Sequence, residues 1–163
     1  MKRFAAVLFA ALVLSACGFQ LRGSDGQAAI PFKTMYVGVP ESSQLGLELK
    51  RNLRARNVTI VNDPKAAEAI IEVLSESREK SILTLNTQGR IREYSLFYKL
   101  RFRIKDNKDQ ELLAPTEITL KRNISYNESQ AIAKEKEEDM LYRDMQSDLV
   151  HQVLRRLAAL KSA

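Results

Sequence analysis

The chain has 163 residues, with 26 Lys and Arg against 20 Asp and Glu, and it contains one cysteine, one histidine and no tryptophan. This length suits one domain with its own core, and a single cysteine excludes a fold held together by disulfides within the chain. The formal net charge of +6 favours anionic partners, although charge alone does not choose among nucleic acid, acidic protein and lipid phosphate.

The N-terminus has the layout of an export signal. Residues 1–3 are basic, residues 4–13 form an unbroken apolar run, and two small residues then lead directly into Cys17. The run is about half of the ~20 residues that a membrane-spanning helix needs, so it is no stable anchor by itself. The spacing resembles the lipobox of bacterial lipoproteins. It predicts a signal peptide over residues 1–16 that is removed, and a lipid attached to the Cys17 thiol.

An ordinary signal peptide that happens to hold a cysteine is the alternative. Lipid attachment is favoured because Cys17 is the only cysteine, and an unpaired thiol would be a liability in an oxidising compartment. In lipoproteins of this type the cysteine carries three acyl chains, palmitate among them, and an aspartate after it favours retention in the inner membrane. Gly18 stands there instead, so we expect a lipid-anchored protein of the cell outer membrane.

Export also narrows the choice of partner. Removing residues 1–16 removes Lys2 and Arg3 and no acidic residue, which leaves 24 basic and 20 acidic side chains and a net charge of +4. Nucleic acid becomes the least probable anionic partner, and the sequence predicts none. Residues 17–32 are expected to form the lipidated N-terminus and a tether, with a short strand around Phe19–Leu21, and residues 33–163 a single domain.

The first half of this domain has the pattern of strand, helix and strand. Residues 33–39 favour a β-strand, which Pro40 should end. Ser42 or Ser43 is placed to cap the next helix, which should end near Asn57. A second strand is expected at 58–61, before a turn at Asp63-Pro64. The helix should bury one leucine per turn, at Leu45, Leu49 and Leu53.

From Ala69 to Tyr126 the apolar period changes to two, which predicts β-strands. One strand should run to about Leu85 and turn at 86–89, and a second, the clearest of the chain, should span 94–105 and turn at 106–109. A third is expected over 117–126, with Pro115 at its start or on an edge. The predicted inward side chains are Leu96, Tyr98, Leu100, Phe102 and Ile104, followed by Ile118, Leu120, Ile124 and Tyr126.

A long last helix should follow, capped by Asn127 with Gln130 at the capping-box distance. The elements together predict an α+β fold. It is a two-layer sandwich of about four mainly antiparallel strands with two helices packed on one face. The apolar stripe of the last helix comprises Leu141, Met145, Leu149, Val153, Leu154, Leu157 and Leu160.

With two helices on one side, the other face of the sheet is left uncovered. That face carries a row of four cations along the clearest strand, and mutual repulsion among them must be offset. An open polar face often only meets water, and Glu72, Glu76 or Glu117 on neighbouring strands would neutralise the row if the register allowed it. A partner-facing role is slightly favoured for Lys99, Arg101, Arg103 and Lys105.

Catalytic chemistry has little support in the sequence. The only histidine, His151, lies inside the last helix beside its apolar stripe, where a structural or surface role is expected. There is no glycine-rich phosphate loop and no H-E-x-x-H motif. The mixed charges over 134–139 have the spacing of a solvated helix face. We therefore predict no catalytic residues, no metal site and no cofactor.

Three short stretches carry a family resemblance. Cys17-Gly18-Phe19-Gln20-Leu21-Arg22 resembles the mature start, C-G-[FW]-x-L-R, of the LPS-assembly lipoprotein LptE (RlpB) family. Gly89 followed by Glu93-Tyr94 resembles the central hairpin of that family. Ala131-Ile132-Ala133-Lys134, with Glu138-Asp139-Met140, resembles the segment that opens its last helix. The first stretch is the most specific, and the resemblance spans the mature chain in order and length.

The resemblance implies a two-layer α/β domain that sits as a plug inside the large β-barrel protein LptD, in a 1:1 complex. The pair forms the translocon that inserts lipopolysaccharide into the outer leaflet, and the lipoprotein also binds lipopolysaccharide. The alternative from another class is a structural envelope lipoprotein that binds peptidoglycan or another envelope protein, and an enzyme comes third.

Lipopolysaccharide carries phosphates, so a protein that binds it needs cations at an exposed tip. Arg90 and Arg92 flank the exit of the Gly89 turn at alternate positions and point to one side of the strand. Lys134 and Lys136 lie near the start of the last helix, where the helix dipole disfavours cations. We predict lipopolysaccharide contacts for these four residues, with solubilising surface charge as the alternative.

Overall fold

The structure is a computed structural model that describes residues 29–160. The predicted signal peptide, the lipid-attachment residue Cys17 and the short strand around Phe19–Leu21 lie outside these residues and stay predictions. Within the described chain, Ile30 already packs against the core and Phe32 is buried in it. Packing therefore begins a few residues before the first strand.

Strand β1 (Thr34–Gly38) and helix α1 (Gln44–Arg54) follow the predicted pattern. Ser43 is the N-cap, and its hydroxyl oxygen accepts from the amide of Gly46 at 3.1 Å. The helix ends at Arg54, three residues before the predicted end. The turn after it closes at Asn57, whose φ is 62°. The leucines predicted to face inward are all buried: Leu45, Leu49 and Leu53.

The sheet has five strands rather than about four, in the order β2-β1-β3-β4-β5. Strand β2 (Thr59–Ile60) is short and parallel to β1, and β1 in turn is parallel to β3 (Ala69–Leu85). Strands β3, β4 (Ile91–Lys105) and β5 (Glu111–Ser125) form an antiparallel meander. A 3-10 turn capped by Asp63 joins β2 to β3.

Strand β5 begins at Glu111, six residues before the predicted start, and it runs through Pro115. The strand lies at the edge of the sheet, as predicted for this proline, and the register shifts there: Thr116 is opposite Phe102, whereas Leu113 is opposite Ile104. An edge strand with such an irregularity accommodates a residue that has no N–H to donate. The proline therefore does not mark the start of the strand, and the alternative prediction, a place on an edge strand, is the correct one.

Helix α2 (Ala131–Ala158) is the long last helix. The predicted capping arrangement differs in detail, because Asn127 caps a 3-10 turn over Glu128–Gln130 that precedes the helix. The Asn127 side chain accepts from the amide of Ser129 at 3.1 Å, and Gln130 makes no side-chain cap bond. The extra turn moves the start of the α-helix to Ala131.

The core lies between α1, α2 and one face of the sheet. The predicted inward positions of β4 are all buried, and α2 faces them with a stripe that also includes a polar residue, Gln146. Leu120, Leu141 and Leu160 are partly buried against the cluster. The α2 side chains that are buried are Tyr142, Met145, Gln146, Leu149, Val150, Val153, Leu154 and Leu157.

Truncation of Leu100 or Leu149 to alanine tests this assignment of faces. Leu100 is 1% exposed and Leu149 is 0% exposed, so each substitution should reduce the free energy of unfolding by roughly 2–5 kcal/mol, measured by urea denaturation. Leu47→Ala is the matched control. Its side chain is 53% exposed on α1, and its loss should cost under about 0.5 kcal/mol. Equal small effects at all three sites would mean that the faces are assigned backwards.

Candidate ligand- and partner-binding surfaces

The turn between β3 and β4 is held by a single side chain. The Asn86 side-chain oxygen accepts from the amides of Gln88 and Arg90, both at 2.9 Å. Gly89 has a φ of 75°, a left-handed conformation that glycine adopts without steric cost. The Arg90 backbone is therefore fixed at the tip of the hairpin.

This hairpin tip meets the start of α2. The Tyr126 amide donates to the Arg92 carbonyl at 2.8 Å, and the Arg90 guanidinium lies 3.6 Å from a carboxylate oxygen of Glu128. Between them is a surface depression of about 320 Å³, lined by residues of both segments. The two predicted arginines and the helix start thus lie at one end of the molecule, which we call the cationic tip (Arg90, Arg92, Lys134 and Lys136).

The four cations of the tip differ in how far they are neutralised. Lys134 is only 17% exposed, and its ammonium group donates to Ser125 at 2.9 Å and to Glu137 at 2.8 Å. Arg90 and its partner Glu128 are each about two-thirds exposed, so water screens that pair strongly. Within residues 29–160, Arg92 and Lys136 are exposed and have no carboxylate within 4 Å. They are the least compensated charges of the tip.

Two tyrosines support the tip from below. The rings of Tyr94 and Tyr126 meet edge to face, with centroids 5.3 Å apart. The Lys80 ammonium lies 4.3 Å from the centroid of the Tyr94 ring and also pairs with Glu138 of α2. This packing links β3, β4 and the helix beneath the cations. Tyr126 was predicted inward from its alternation, whereas no pattern in the sequence predicted these contacts of Tyr94 and Lys80.

Exposed aliphatic side chains that were not predicted as site residues accompany the charges at this end. Near the end of β3, Ile82 is 56% exposed and Leu85 is 55% exposed, and Ile132 in the first turn of α2 is 74% exposed. The apolar cluster at the end of β3, in a strand whose middle is polar, could have signalled Ile82 and Leu85, although strict alternation would place them on opposite faces. The tip is therefore amphipathic rather than purely cationic.

The row of cations on the open sheet face is largely paired. Lys99 lies 2.9 Å from Glu79, and Arg103 lies 2.6 Å from Glu72. Glu72 also lies 3.9 Å from Lys105, whose ammonium has a closer partner, Asp109, at 2.7 Å. Neighbouring strands and the following turn thus supply acids that the β4 sequence itself lacks.

Arg101 is the exception in this row. It is exposed and stands opposite Ser75 and Glu117, yet in the described chain no carboxylate lies within 4 Å of it. Of the three acids considered from the sequence, Glu72 does pair with the row. Glu76 instead projects to the helix side, where it accepts from the Tyr98 hydroxyl.

The ion pairs shift the acid–base properties of the row. The hydrogen bond from Arg103, together with the charges of Arg103 and Lys105, holds the pKa of Glu72 below its usual value against a smaller effect of desolvation. The hydrogen bond from Lys105 likewise lowers the pKa of Asp109. Both carboxylates stay ionised at neutral pH and remain available to neutralise the row.

A polar network crosses the core and joins the sheet to both helices. The Arg78 guanidinium donates to the Tyr98 hydroxyl at 3.2 Å and to the Gln146 side-chain oxygen at 3.1 Å. The Gln146 side-chain amide donates to Glu48 of α1 at 2.8 Å, and Glu48 also accepts from Ser147 at 2.6 Å. Tyr98 was predicted from the sequence to face inward with the apolar side chains of β4, and these polar contacts were not predicted.

The residues that could carry enzymatic or metal chemistry are considered for the described part of the chain, residues 29–160. His151 is exposed on α2, away from the cationic tip. Among residues 29–160, no three His, Cys, Asp or Glu side chains are arranged to hold a metal ion. In the same residues, no helix combines the length and apolar character that crossing a membrane requires.

Solved structures of similar fold are those of lipoproteins. A lipoprotein B of Nitrosomonas europaea is 38% identical, with a TM-score of 0.74 over 87% of this chain and 91% of that one. A minor lipoprotein of Acinetobacter baumannii is 25% identical, with a TM-score of 0.64 over 80% and 96%. The fold is thus that of a small two-layer lipoprotein domain.

The family follows from the sequence comparisons. The family model described as LptE, lipopolysaccharide-assembly, matches residues 32–157, so the chain belongs to the LptE family. The LPS-assembly lipoprotein LptE of Pectobacterium atrosepticum is 26% identical over 94% of this chain and 83% of that protein. Its counterpart in Yersinia enterocolitica is 25% identical over 94% and 74%. The family resemblance seen in the sequence is confirmed.

The buried Tyr98 hydroxyl predicts a loss of stability in alkali. Desolvation, reinforced by the hydrogen bond to Glu76, raises the pKa of Tyr98 to about 12. Because an unfolded tyrosine has a pKa of about 10, the stability that this group contributes is complete below that pH and is lost as the pH rises through 12. Urea denaturation between these limits should show the decline, and Tyr98→Phe should flatten it. A profile unchanged by Tyr98→Phe but flattened by the control Tyr36→Phe would contradict the assignment.

Proposed function

We propose that this member of the LptE family is a non-enzymatic outer-membrane lipoprotein. It acts with the β-barrel protein LptD, in a 1:1 complex, as the barrel plug and lipopolysaccharide-binding subunit. The observation that carries the proposal is the cationic tip, where Arg90 and Arg92 of the β3–β4 hairpin lie beside the start of α2, whose first two turns carry Lys134 and Lys136. The anchor in this proposal is a lipid on Cys17, placed before a domain of residues 33–163.

The surface of the domain suits a position inside a barrel. A barrel lumen is polar, so a plug needs a charged exterior over a well-packed core. The open sheet face offers alternating cations and carboxylates, such as Lys99 with Glu79 and Arg103 with Glu72. We infer that Lys99, Arg101, Arg103 and Lys105 face the barrel wall, and that Arg101 is the cation most available to a partner carboxylate.

The tip suits a phosphorylated lipid. Arg92 and Lys136 are exposed without a close carboxylate in the described chain, and the weak Arg90–Glu128 pair opens readily to a competing phosphate. The ammonium group of Lys134 is held by Ser125 and Glu137. It therefore adds positive charge near the site but is not free to reach the ligand. We therefore place the principal lipopolysaccharide contacts on Arg90, Arg92 and Lys136, with Lys134 in support.

Charge reversal tests the lipid-binding role. The triple variant Arg90→Glu, Arg92→Glu and Lys134→Glu should bind purified lipopolysaccharide about tenfold or more weakly at low salt. The two arginines lose charge-assisted contacts, and the third substitution reverses a supporting charge. A second triple variant with Lys136→Glu in place of Lys134→Glu leaves the bond to Ser125 intact. Binding is measured with the soluble domain at two salt concentrations, after circular dichroism has shown that each variant is folded.

The matched control reverses three exposed cations elsewhere: Arg51 and Arg54 on α1, and Lys108 in the β4–β5 turn. It makes the same change in net charge, so a purely long-range effect would lower its affinity equally. Unchanged affinity in both tip variants would exclude the tip as the site. Loss of barrel association with intact lipid binding would show instead that these cations face the protein partner.

Substitution of the lipid-attachment residue tests the anchor. Cys17→Ala should prevent lipidation and leave uncleaved or soluble protein, whereas the parent chain should fractionate with the outer membrane. The comparison is made in cells that lack the barrel partner, so that binding to it cannot retain the variant. Outer-membrane fractionation of Cys17→Ala under these conditions would show that the anchor is not a lipid on this cysteine.

A further inference from the structure

Strand β3 has a free edge for most of its length. Strand β1 accompanies it only from Ala69 to Glu72, where Gly38 is the last paired residue, while β3 continues to Leu85. Beyond Glu72, β4 is its only neighbouring strand in the part of the chain that the structure describes. One side of the β3 backbone is therefore unpaired there.

Two bulges define the regular part of this edge. The register shifts between Val73 and Ser75 and again between Ile82 and Thr84, so residues 75–82 form an uninterrupted stretch. The extra residues are leucines, with Leu74 41% exposed and Leu83 40% exposed. An aliphatic side chain thus stands at each end of the stretch.

The direction in which the β3 amides and carbonyls point can be deduced from the hydrogen bonds between β4 and β5. The Tyr126 amide donates to the Arg92 carbonyl, so the even-numbered residues of β4 turn their backbone groups toward β5, and the odd-numbered ones turn theirs toward β3. The β3 residues opposite these odd positions are Ser75, Ser77, Glu79 and Ser81. The outward amides and carbonyls of β3 therefore belong to Glu76, Arg78, Lys80 and Ile82.

Charged side chains and proline usually protect a sheet edge from pairing with another chain. Edge strand β5 has such protection in Pro115 and Lys121, both exposed, whereas its Arg122 pairs with Asp148 of α2. On β3 the corresponding charges are turned to internal partners: Arg78 donates to Tyr98 and Gln146, and Lys80 pairs with Glu138. The two glutamates of the stretch are engaged in the same way, Glu76 by the Tyr98 hydroxyl and Glu79 by Lys99. The other side chains are three serines and Ile82, so the β3 edge is left without free charges or proline to protect it.

We propose that the β3 edge over residues 75–82 binds an extended segment of the envelope partner, which adds to the sheet as a further strand. This inference rests on the proposed function, because the segment belongs to the barrel protein with which the lipoprotein associates. The backbone groups of β3 supply the hydrogen bonds, and the leucines at the two bulges contact aliphatic side chains at the ends of the segment.

Charge complementarity defines the segment further. Arg78 has neutral hydrogen-bond partners and, in residues 29–160, no carboxylate within 4 Å; Lys80 already has Glu138. Opposite charges on adjacent strands stabilise a sheet, so the segment carries an acidic residue opposite Arg78. Its side chain opposite Ile82, which is 56% exposed, is aliphatic.

A second copy of this chain fits the edge poorly. The two antiparallel registers that use nearly the whole stretch place Arg78 opposite either Arg78 or Lys80 of the second copy. The first also sets Glu76 opposite Lys80, but these two side chains are already engaged by Tyr98 and Glu138 within their own chain. Like charges directly opposite one another destabilise a sheet. The edge therefore selects a different, acidic segment.

Amide hydrogen exchange of the full lipoprotein tests the proposal, alone and in the complex isolated from outer membranes through an affinity tag on the lipoprotein. In the complex, exchange at Glu76, Arg78, Lys80 and Ile82 should slow by about tenfold or more, because these amides gain hydrogen bonds. The outward amides of the β5 edge, such as that of Thr119, should not show this alternating protection. Exchange is followed at single-residue resolution, so that a strand partner is distinguished from general burial.

Proline substitution provides a second measurement. Ile82→Pro removes one outward amide and leaves the hydrogen bonds to β4, and it should reduce recovery of the barrel protein about tenfold. Thr119→Pro makes the same change on the β5 edge and should leave recovery unchanged. Leu83→Ser, with Leu47→Ser as its control, tests an apolar contact without altering the backbone.

The outcomes separate this proposal from the one on which it rests. If no barrel protein co-purifies with the parent chain, the proposed function fails, and the inference fails with it. If the barrel protein co-purifies but the four β3 amides exchange as in the free lipoprotein, only the β3 site is excluded. Selective protection of the β3 amides in the absence of the barrel would identify a second copy or the N-terminal segment as the occupant and would overturn the proposed partner.

Discussion

The hydroxyl of Tyr98 is the polar group on which the packing of the two layers depends. Tyr98 is 0% exposed in the middle of β4, and a buried hydroxyl must find hydrogen-bond partners. It donates to Glu76 and accepts from Arg78, and Gln146 then connects the arginine to Glu48 on α1. A slip of one residue in β4 would turn Tyr98 to the open face and leave this network unpaired. The network therefore fixes strand register and helix positions together.

The unequal lengths of the strands produce both proposed binding surfaces. Pro40 and the following helix end the pairing of β1 soon after Gly38, whereas β3 and β4 continue to the hairpin turn at Gly89. The hairpin thus extends beyond the strand that would otherwise cover the β3 edge. Its far end reaches the start of α2, where Arg92 and Tyr126 are joined through their backbones. The free edge and the cationic tip are consequences of the same extension.

Local sequence patterns predicted the secondary-structure elements and their buried faces. Features that depend on strand register, such as the start of β5 and the partners in ion pairs, could not be predicted from them. Alternation in β4 identified its buried face because apolar side chains on a strand with one open face must point to the core. The start of β5 was placed too late because Pro115 is tolerated at an edge irregularity that only the pairing reveals. The partners of Lys99 and Lys105, namely Glu79 and Asp109, likewise required the register and turn geometry. At the tip, the sequence supplied the cations but could not show which of them carry internal partners.

The distribution of uncompensated charge distinguishes the two proposed binding surfaces. On the open face, pairs such as Arg103–Glu72 leave little net potential, so a phosphate would have to displace a carboxylate that is already hydrogen-bonded. At the tip, Arg92 and Lys136 have no such competitor within residues 29–160, and Ile82 and Ile132 add exposed aliphatic surface. Cations beside aliphatic side chains match a ligand that has phosphates joined to acyl chains. A face of alternating ion pairs matches a polar protein wall, so the proposed contacts with phosphorylated lipid and with the barrel fall on different parts of the same domain.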